Sequence, residues 1–419
     1  MRFPEFQQAL LAQYGEEAAA ARHEVYFLAR RGRSAGLRAA LAALRDAWLC
    51  WRLPRRSPPL AGWAALATLP GSNGWGALAP CVADLTRRGI ACSVLIHPRL
   101  RGQVAGELPA RPAAAAWRHA LGAWRLPRGA GRAHVAPLWL VRCCVFRQRL
   151  WRGAWARTLR SAAPGAALLL HNDVDLYAVA ALQAAGERWR SVCVQHGLPT
   201  DEFFPVRAQR HLLWGESSAR AYAGRGVAPA AIGYGPARPL AEAATATAPT
   251  VLYLLSQTHT PIYGRALAAD FLALAQALAR MRLAGIALRI LLHPEEARGG
   301  HPYAGTPLAA LCRTPPHPLL DTEEAPALVV GFCSTALLQA ACRGHYVIGM
   351  AWPAAASADA LAIGRPPRQV ADAAELGALL LALRQDVRAR QAFQQRQRGW
   401  LQRSFAADAQ WPQRLGGGA

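Results

Sequence analysis

Five short stretches carry residues able to do chemistry, and each stands at the end of an apolar run. His171-Asn172-Asp173-Val174-Asp175 follows Ala167–Leu170 and sets a histidine and two carboxylates within five residues. A carboxylate held there serves as base or nucleophile, although Asp173 also suits the plainer task of capping the next helix. Gln195-His196-Gly197 follows Ser191–Val194. Gly197 permits a sharp exit and Pro199 enforces an irregular loop, so His196 reads as a catalytic or sugar-contacting group, or as a core histidine satisfied by backbone. Asp201 and Glu202 read as solvated loop residues or partners of Arg207. Gly71-Ser72-Asn73-Gly74-Trp75-Gly76 lets backbone approach a ligand and aims a helix N-terminus at it, without the spacing of the dinucleotide fingerprint. Gly74, Gln195 and Gly197 are therefore candidate acceptor or sugar contacts.

The other two stretches lie in the second half. Pro294 fixes the turn after Leu291-Leu292 and holds His293 at a strand end, where a ring nitrogen can donate to a phosphate or base. Gly331-Phe332-Cys333-Ser334-Thr335 offers two hydroxyls and the first free amides of a helix, an anion site, with capping by Ser334 as the simpler alternative. Glu323 or Glu324, just before the strand at 327–330, reads as an acceptor from ribose hydroxyls or as part of a solvated acidic pair. The nine cysteines are scattered and show no metal-ligand spacing, so no metal and no other cofactor is expected.

Strands and helices must alternate to put these residues where they are. Trp-Ala-Ala-Leu-Ala, a glycine turn, a helix and Ala-Cys-Ser-Val-Leu-Ile form one βαβ unit from Trp63. The alternation resumes at Ala167 and again at Thr250. The fold class is α/β: two Rossmann-like lobes with a helical N-terminal extension and C-terminal helices that close against the second lobe. The boundaries read as a basic helical extension at 1–60, a first lobe at 61–236, a linker at 237–249 and a second lobe at 250–419. In open parallel sheets ligands bind beyond the carboxyl ends of the strands, which is where all five stretches fall.

Length agrees with this: 419 residues suit two domains of about 200 residues. The net charge is +23, but every one of the 48 basic residues is arginine and alanine is in excess, a pattern that GC-rich coding alone produces. The arginines are dispersed over both halves, which argues against a nucleic-acid partner. They favour anionic substrates and, through Arg30–Arg56 and Arg142–Arg160, an anionic membrane surface. The start has no signal-peptide core, and both long uncharged windows, 57–83 and 243–264, are broken by prolines, glycines and polar residues. A cytoplasmic protein, peripheral on the inner membrane, is expected.

The pair His293-Pro294 followed by Ser334-Thr335 in the second lobe resembles the bacterial GT-B glycosyltransferases that use CMP-activated acidic sugars, the β-Kdo transferases and sialyltransferases of capsule and lipopolysaccharide assembly. Gln195-His196-Gly197 is similar to the first-lobe pattern of surface-carbohydrate transferases more widely, CDP-glycerol polymerising enzymes included. The resemblance covers roughly residues 63–350 and implies that His293, Pro294, Ser334 and Thr335 hold CMP. It also implies a glycan or glycolipid acceptor, and transfer of Kdo or a related nonulosonate with retention through an aspartate nucleophile, Asp173 first and Asp175 second. The sialyltransferase pattern has a glycine after its acidic pair, which His171–Tyr177 lacks. Inverting sialyl transfer and a CDP-glycerol-type phosphotransfer stand as alternatives.

Overall fold

The computed structural model describes residues 3–415 except 69–71, 128–134, 164, 239, 242–246, 259–266, 282–284, 315–325 and 354–357. Glu323 and Glu324 lie outside the described residues.

The first helices are α1 (Phe3–Ala20, kinked at Gly15), α2 (Arg22–Ala29) and α3 (Ala35–Arg52). They form the helical N-terminal extension, and it packs into the first lobe. Leu10, Val25 and Ala39 share one core with Leu66, Leu168 and Trp151, so the first lobe has no complete interior without them. Six short apolar strands form that lobe's sheet: β1 (Trp63–Ala67), β2 (Cys92–Ile96), β3 (Ala167–Leu170), β4 (Arg190–Val194), β5 (Arg210–Leu213) and β6 (Ile232–Tyr234). All pair in parallel, in the order β2-β1-β3-β4-β5-β6. Side chains alternate across the sheet, Ala64 and Leu66 entering the core under α1–α3 and Trp63, Ala65 and Ala67 the opposite one. The intervening helices are α4 (Ser72–Arg87), α5 (Ala114–Leu121), α6 (Leu138–Leu159), α7 (Leu176–Ala185) and α8 (Glu216–Gly224). From Ser72 the stretch read as a glycine turn is the first turn of α4, with Gly74 and Gly76 already helical.

The arginine-rich segment 142–160 is divided between surface and interior: Arg152, Arg157 and Arg160 are exposed, and Arg147 is buried. It lies in α6, a helix largely buried between α3, α5 and α7. Arg147 donates to Asp46 of α3 (2.8 Å), to Glu24 of α2 (2.5 Å) and to the Tyr177 hydroxyl of α7 (2.9 Å), while Arg149 forks onto Glu17.

The second lobe repeats the plan with β7 (Val251–Leu255), β8 (Ala287–Leu291), β9 (Cys312–Arg313), β10 (Leu328–Gly331), β11 (Tyr346–Met350) and β12 (Gln369–Val370), ordered β12-β11-β10-β7-β8-β9 and all parallel. Its helices are α9 (Ala268–Arg280), α10 (Pro294–Gly299), α11 (Thr335–Cys342), α12 (Ala358–Gly364), α13 (Ala373–Gln385) and α14 (Val387–Ser404). The chain does not end on this lobe. After α14 it returns to the first: the Ala406 amide donates to Trp214 O, Asp408 N to Gly235 O, and Trp411 of α15 (Trp411–Arg414) packs on Trp63 and donates to Asp84. A side chain at Gly215 would stand 2.6 Å from the Ser404 carbonyl, so the crossing needs glycine there.

Candidate functional site

Each sheet has one place where the direction of winding reverses. In the first lobe β1 leads outward to β2 and the chain then returns to β3 on its other side; in the second, β10 returns beside β7. Loops diverge at such a point and leave a crevice beyond the strand ends. The sites are therefore the ends of β1 and β3 in one lobe and of β7 and β10 in the other.

In the first lobe the crevice is lined by a closed polar network. Asp175 is the cap of α7, its Oδ1 accepting from the Tyr177 and Ala178 amides at 2.7 and 3.0 Å. Its Oδ2 accepts from Thr68 at the end of β1 (2.7 Å) and from the Asn172 amide (2.6 Å). Both oxygens are engaged, so the carboxylate read as a reserve nucleophile is a helix cap, and the cap is Asp175 instead of Asp173. Asp173 is buried as well: its Oδ2 accepts the Arg207 and Ala208 amides at 2.5 and 3.0 Å, and the buried Arg22 and half-buried Arg207 face it with opposite charge. It fixes the 205–208 loop to the end of β3. Asp201 pairs with Arg225 (2.8 Å) and not with Arg207.

The histidines of this lobe stack. The first turn of α4 touches the His171 ring so closely that a Cβ on Gly74 would lie 3.0 Å from it. The His171 ring meets His196 edge-on at 5.5 Å, and His196 meets Phe203 at 5.3 Å. Burial pushes both imidazoles down to about 4, and His171 lowers His196 further by charge repulsion. Both are neutral near pH 7, which makes them hydrogen-bonding groups and poor bases. Gln195 is buried and structural: its Oε1 accepts from Trp214 N (2.9 Å) and its Nε2 donates to Gly197 O (2.9 Å). It bends the chain so that a Cβ on Gly197 would lie 3.8 Å from Thr335 Oγ1 of the second lobe. Leu198 continues the contact, standing against Gly364 and joining the second lobe's core.

Two further groups were given no task in the sequence. Burial raises Glu202 to about 7, with Asp201 adding to the rise and Thr200 opposing it. Its burial comes from the packing of α1 on residues 201–203, a contact far apart in sequence. Glu296 is the second. Its Oε1 accepts from Ser256 Oγ (3.0 Å) and from the amide and hydroxyl of Thr258, and its Oε2 accepts from His293 N (3.0 Å). One buried carboxylate thus joins the ends of β7 and β8 and sets the position of His293 and Pro294. Across the crevice Ser334 caps α11 by accepting from Ala336 N (3.2 Å), and Thr335 begins the helix half-exposed. His293, Ser334 and Thr335 therefore lie at neighbouring strand ends of one lobe, and Gly197 approaches Thr335 from the other.

No protein-family model matches the chain, and none of the curated proteins does. Among solved structures it is similar to a UDP-N-acetylglucosamine 2-epimerase, at 12% identity and TM-score 0.48 over 85% of this chain and 94% of that one. A glycosyltransferase from Rickettsia africae gives 8% and 0.48 over 84% and 97%. An Anabaena protein in complex with UDP and glucose gives 12% and 0.47 over 83% and 96%. Likeness at this level says nothing of the reaction, which has to be argued from the site.

Proposed function

We propose that the chain is a glycosyltransferase that takes an acidic sugar, Kdo or a related nonulosonate, from its CMP-activated form and passes it to a surface-polysaccharide or lipopolysaccharide acceptor. The observation that carries this reading is the meeting of the two lobes at Gly197 and Thr335, which sets two strand-end crevices face to face. Two half-sites of unlike chemistry suit a reaction of two substrates. The second lobe suits the nucleotide: the α11 N-terminus with Ser334 and Thr335 for the phosphate, and His293 and Pro294, set by Glu296, for phosphate or cytidine. CMP is favoured by the His-Pro and Ser-Thr pairs.

The first lobe takes the acceptor. Gly74, His171 and His196 form a wall of neutral polar and small groups suited to sugar hydroxyls, and Gln195 and Gly197 shape its rim. Double displacement needs an aspartate with an oxygen free to attack. Asp175 has none, and Asp173, whose Oδ2 accepts two backbone amides, is buried beside Arg22 and Arg207. Glu202, titrating near 7, is the better base for an acceptor hydroxyl, and the reading becomes a single displacement with inversion. In it the Glu202 carboxylate takes the hydroxyl proton, the acceptor oxygen bonds to the anomeric carbon, and CMP leaves with the bonding pair.

Incubation with CMP-Kdo, CMP-sialic acid, CDP-glycerol and UDP-glucose, each with a deacylated lipopolysaccharide core, tests the substrate class. Sugar transfer from a CMP donor alone supports the proposal. Consumption of CDP-glycerol alone, or of UDP-glucose alone, refutes it.

A further inference from the structure

A surface helix buries one apolar stripe and wets the other side. The helix α3 has two apolar sides. Inward it sets small residues, Ala35, Ala39, Ala43 and Cys50, against the first-lobe core. Outward it presents Leu37, Leu41, Leu44, Trp48 and Trp51, each between 52 and 68% exposed. Steps of four, three, four and three residues put all five on one stripe. Trp139, 53% exposed, widens it: its ring lies 3.9 Å from where Gly36 would carry a Cβ. Large apolar groups in a continuous line, unlike single ones, mark a surface that meets a partner or a membrane.

Charge decides between those two. From Glu24 to Asp84 the only intervening carboxylate is Asp46, against eight arginines. Asp46 faces inward and is paired with Arg147, which leaves the outer side of α3 without negative charge. Arg38, Arg45 and Arg52 are exposed and each follows a stripe residue by one position, forming a basic row beside the apolar one. Arg52 lies 4.7 Å over the Trp48 ring and Arg111 5.5 Å over Trp51, so guanidinium groups sit at the level of the tryptophan faces. A basic row flanking leucines and tryptophans suits the boundary of an anionic bilayer, with rings at headgroup depth and guanidiniums on phosphates.

We propose that α3 lies in the surface of an anionic membrane, its leucines and tryptophans entering the acyl boundary and Arg38, Arg45 and Arg52 engaging lipid phosphates. No helix among the described residues is long and apolar enough to cross a bilayer, so the contact is parallel to the surface. The Asp46–Arg147 pair on the inner side ties the helix to α6, and the whole first lobe docks with it. The docking does not depend on which reaction the cleft performs.

Flotation of the full chain with extruded vesicles tests this, using phosphatidylcholine alone and phosphatidylcholine mixed with phosphatidylglycerol. Wild type is expected to float with the mixed vesicles only. Leu41→Ser with Leu44→Ser and Trp48→Ser, and separately Arg38→Gln with Arg45→Gln and Arg52→Gln, should each weaken binding at least about tenfold. Circular dichroism should be unchanged and melting little moved: these side chains are exposed, and Arg45 gives up only a 3.7 Å contact to Asp46, which keeps Arg147. Variants that float as wild type does, a wild type that binds neither vesicle or both equally, or a lipid-free dimer that the leucine and tryptophan changes dissociate, would overturn the proposal.

Discussion

Glu202 and Asp175 are both acidic residues near strand ends, and their surroundings give them opposite behaviour. Four donors hold Asp175 as a helix cap, whereas burial raises Glu202 to about 7. If Glu202 is the base, Glu202→Gln should lower kcat by about 10²- to 10⁴-fold and abolish the rise in kcat/KM centred near pH 7, with the donor KM little changed. A pH profile of the variant that keeps the rise would remove Glu202 from the chemistry. The sequence displays a cluster of polar residues after β3 plainly, but not which carboxylate caps the helix, because a shift of two residues in the start of α7 exchanges their tasks. Glu202 was less legible still, since the group that buries it comes from α1, nearly two hundred residues earlier.

At the scale of elements, the strands were read closely because both faces of each are covered and the apolar runs are unbroken. The first sixty residues are legible as helices, but their packing into the first lobe is not. Basic residues and alanines on one helix suggest an independent surface segment until the partner of Asp46 is known, and that partner, Arg147, lies in α6. The buried group of Arg147, Asp46, Glu24 and Tyr177 fastens three N-terminal helices to α6 and α7. Arg147→Leu would leave buried Asp46 with only the longer 3.7 Å cation contacts to Arg45 and Arg99 and should cost about 3 kcal/mol, read from urea unfolding. A loss within experimental error would mean that the network relaxes or hydrates. The two-residue strands β9 and β12 escaped notice because so short a run has no period.

The molecule as a whole should be sensitive to acid. His97 and His171 are fully buried and held down to about 4, against an ordinary 6.5. The unfolded chain binds their protons first, so the stability they contribute is complete above pH 6.5 and lost as pH falls toward 4, about 3 kcal/mol for each. Glu202 acts oppositely, its raised value favouring the fold at low pH and opposing it as pH rises through 7. Two buried imidazoles outweigh one carboxyl, and the melting temperature should fall steadily from pH 6.5 to 4. A flat profile over that range would place the histidines in wetter surroundings than these.

The two lobes themselves were legible from the recurrence of strand and helix, and so was the place where ligands should bind, since strand-end residues stand out wherever an apolar run stops on polar groups. The contact between lobes was not, because Gly197 and Thr335 are far apart in sequence and the chain returns from the second lobe to the first only after Ser404. The central claim is that this junction holds the nucleotide of an activated sugar. A crystal grown with CMP tests it directly. The account predicts the phosphate at the α11 N-terminus, within hydrogen-bonding distance of Ser334 and Thr335, and the nucleoside toward His293 and Pro294. CMP bound outside the cleft, or no CMP bound at millimolar concentration, would contradict it.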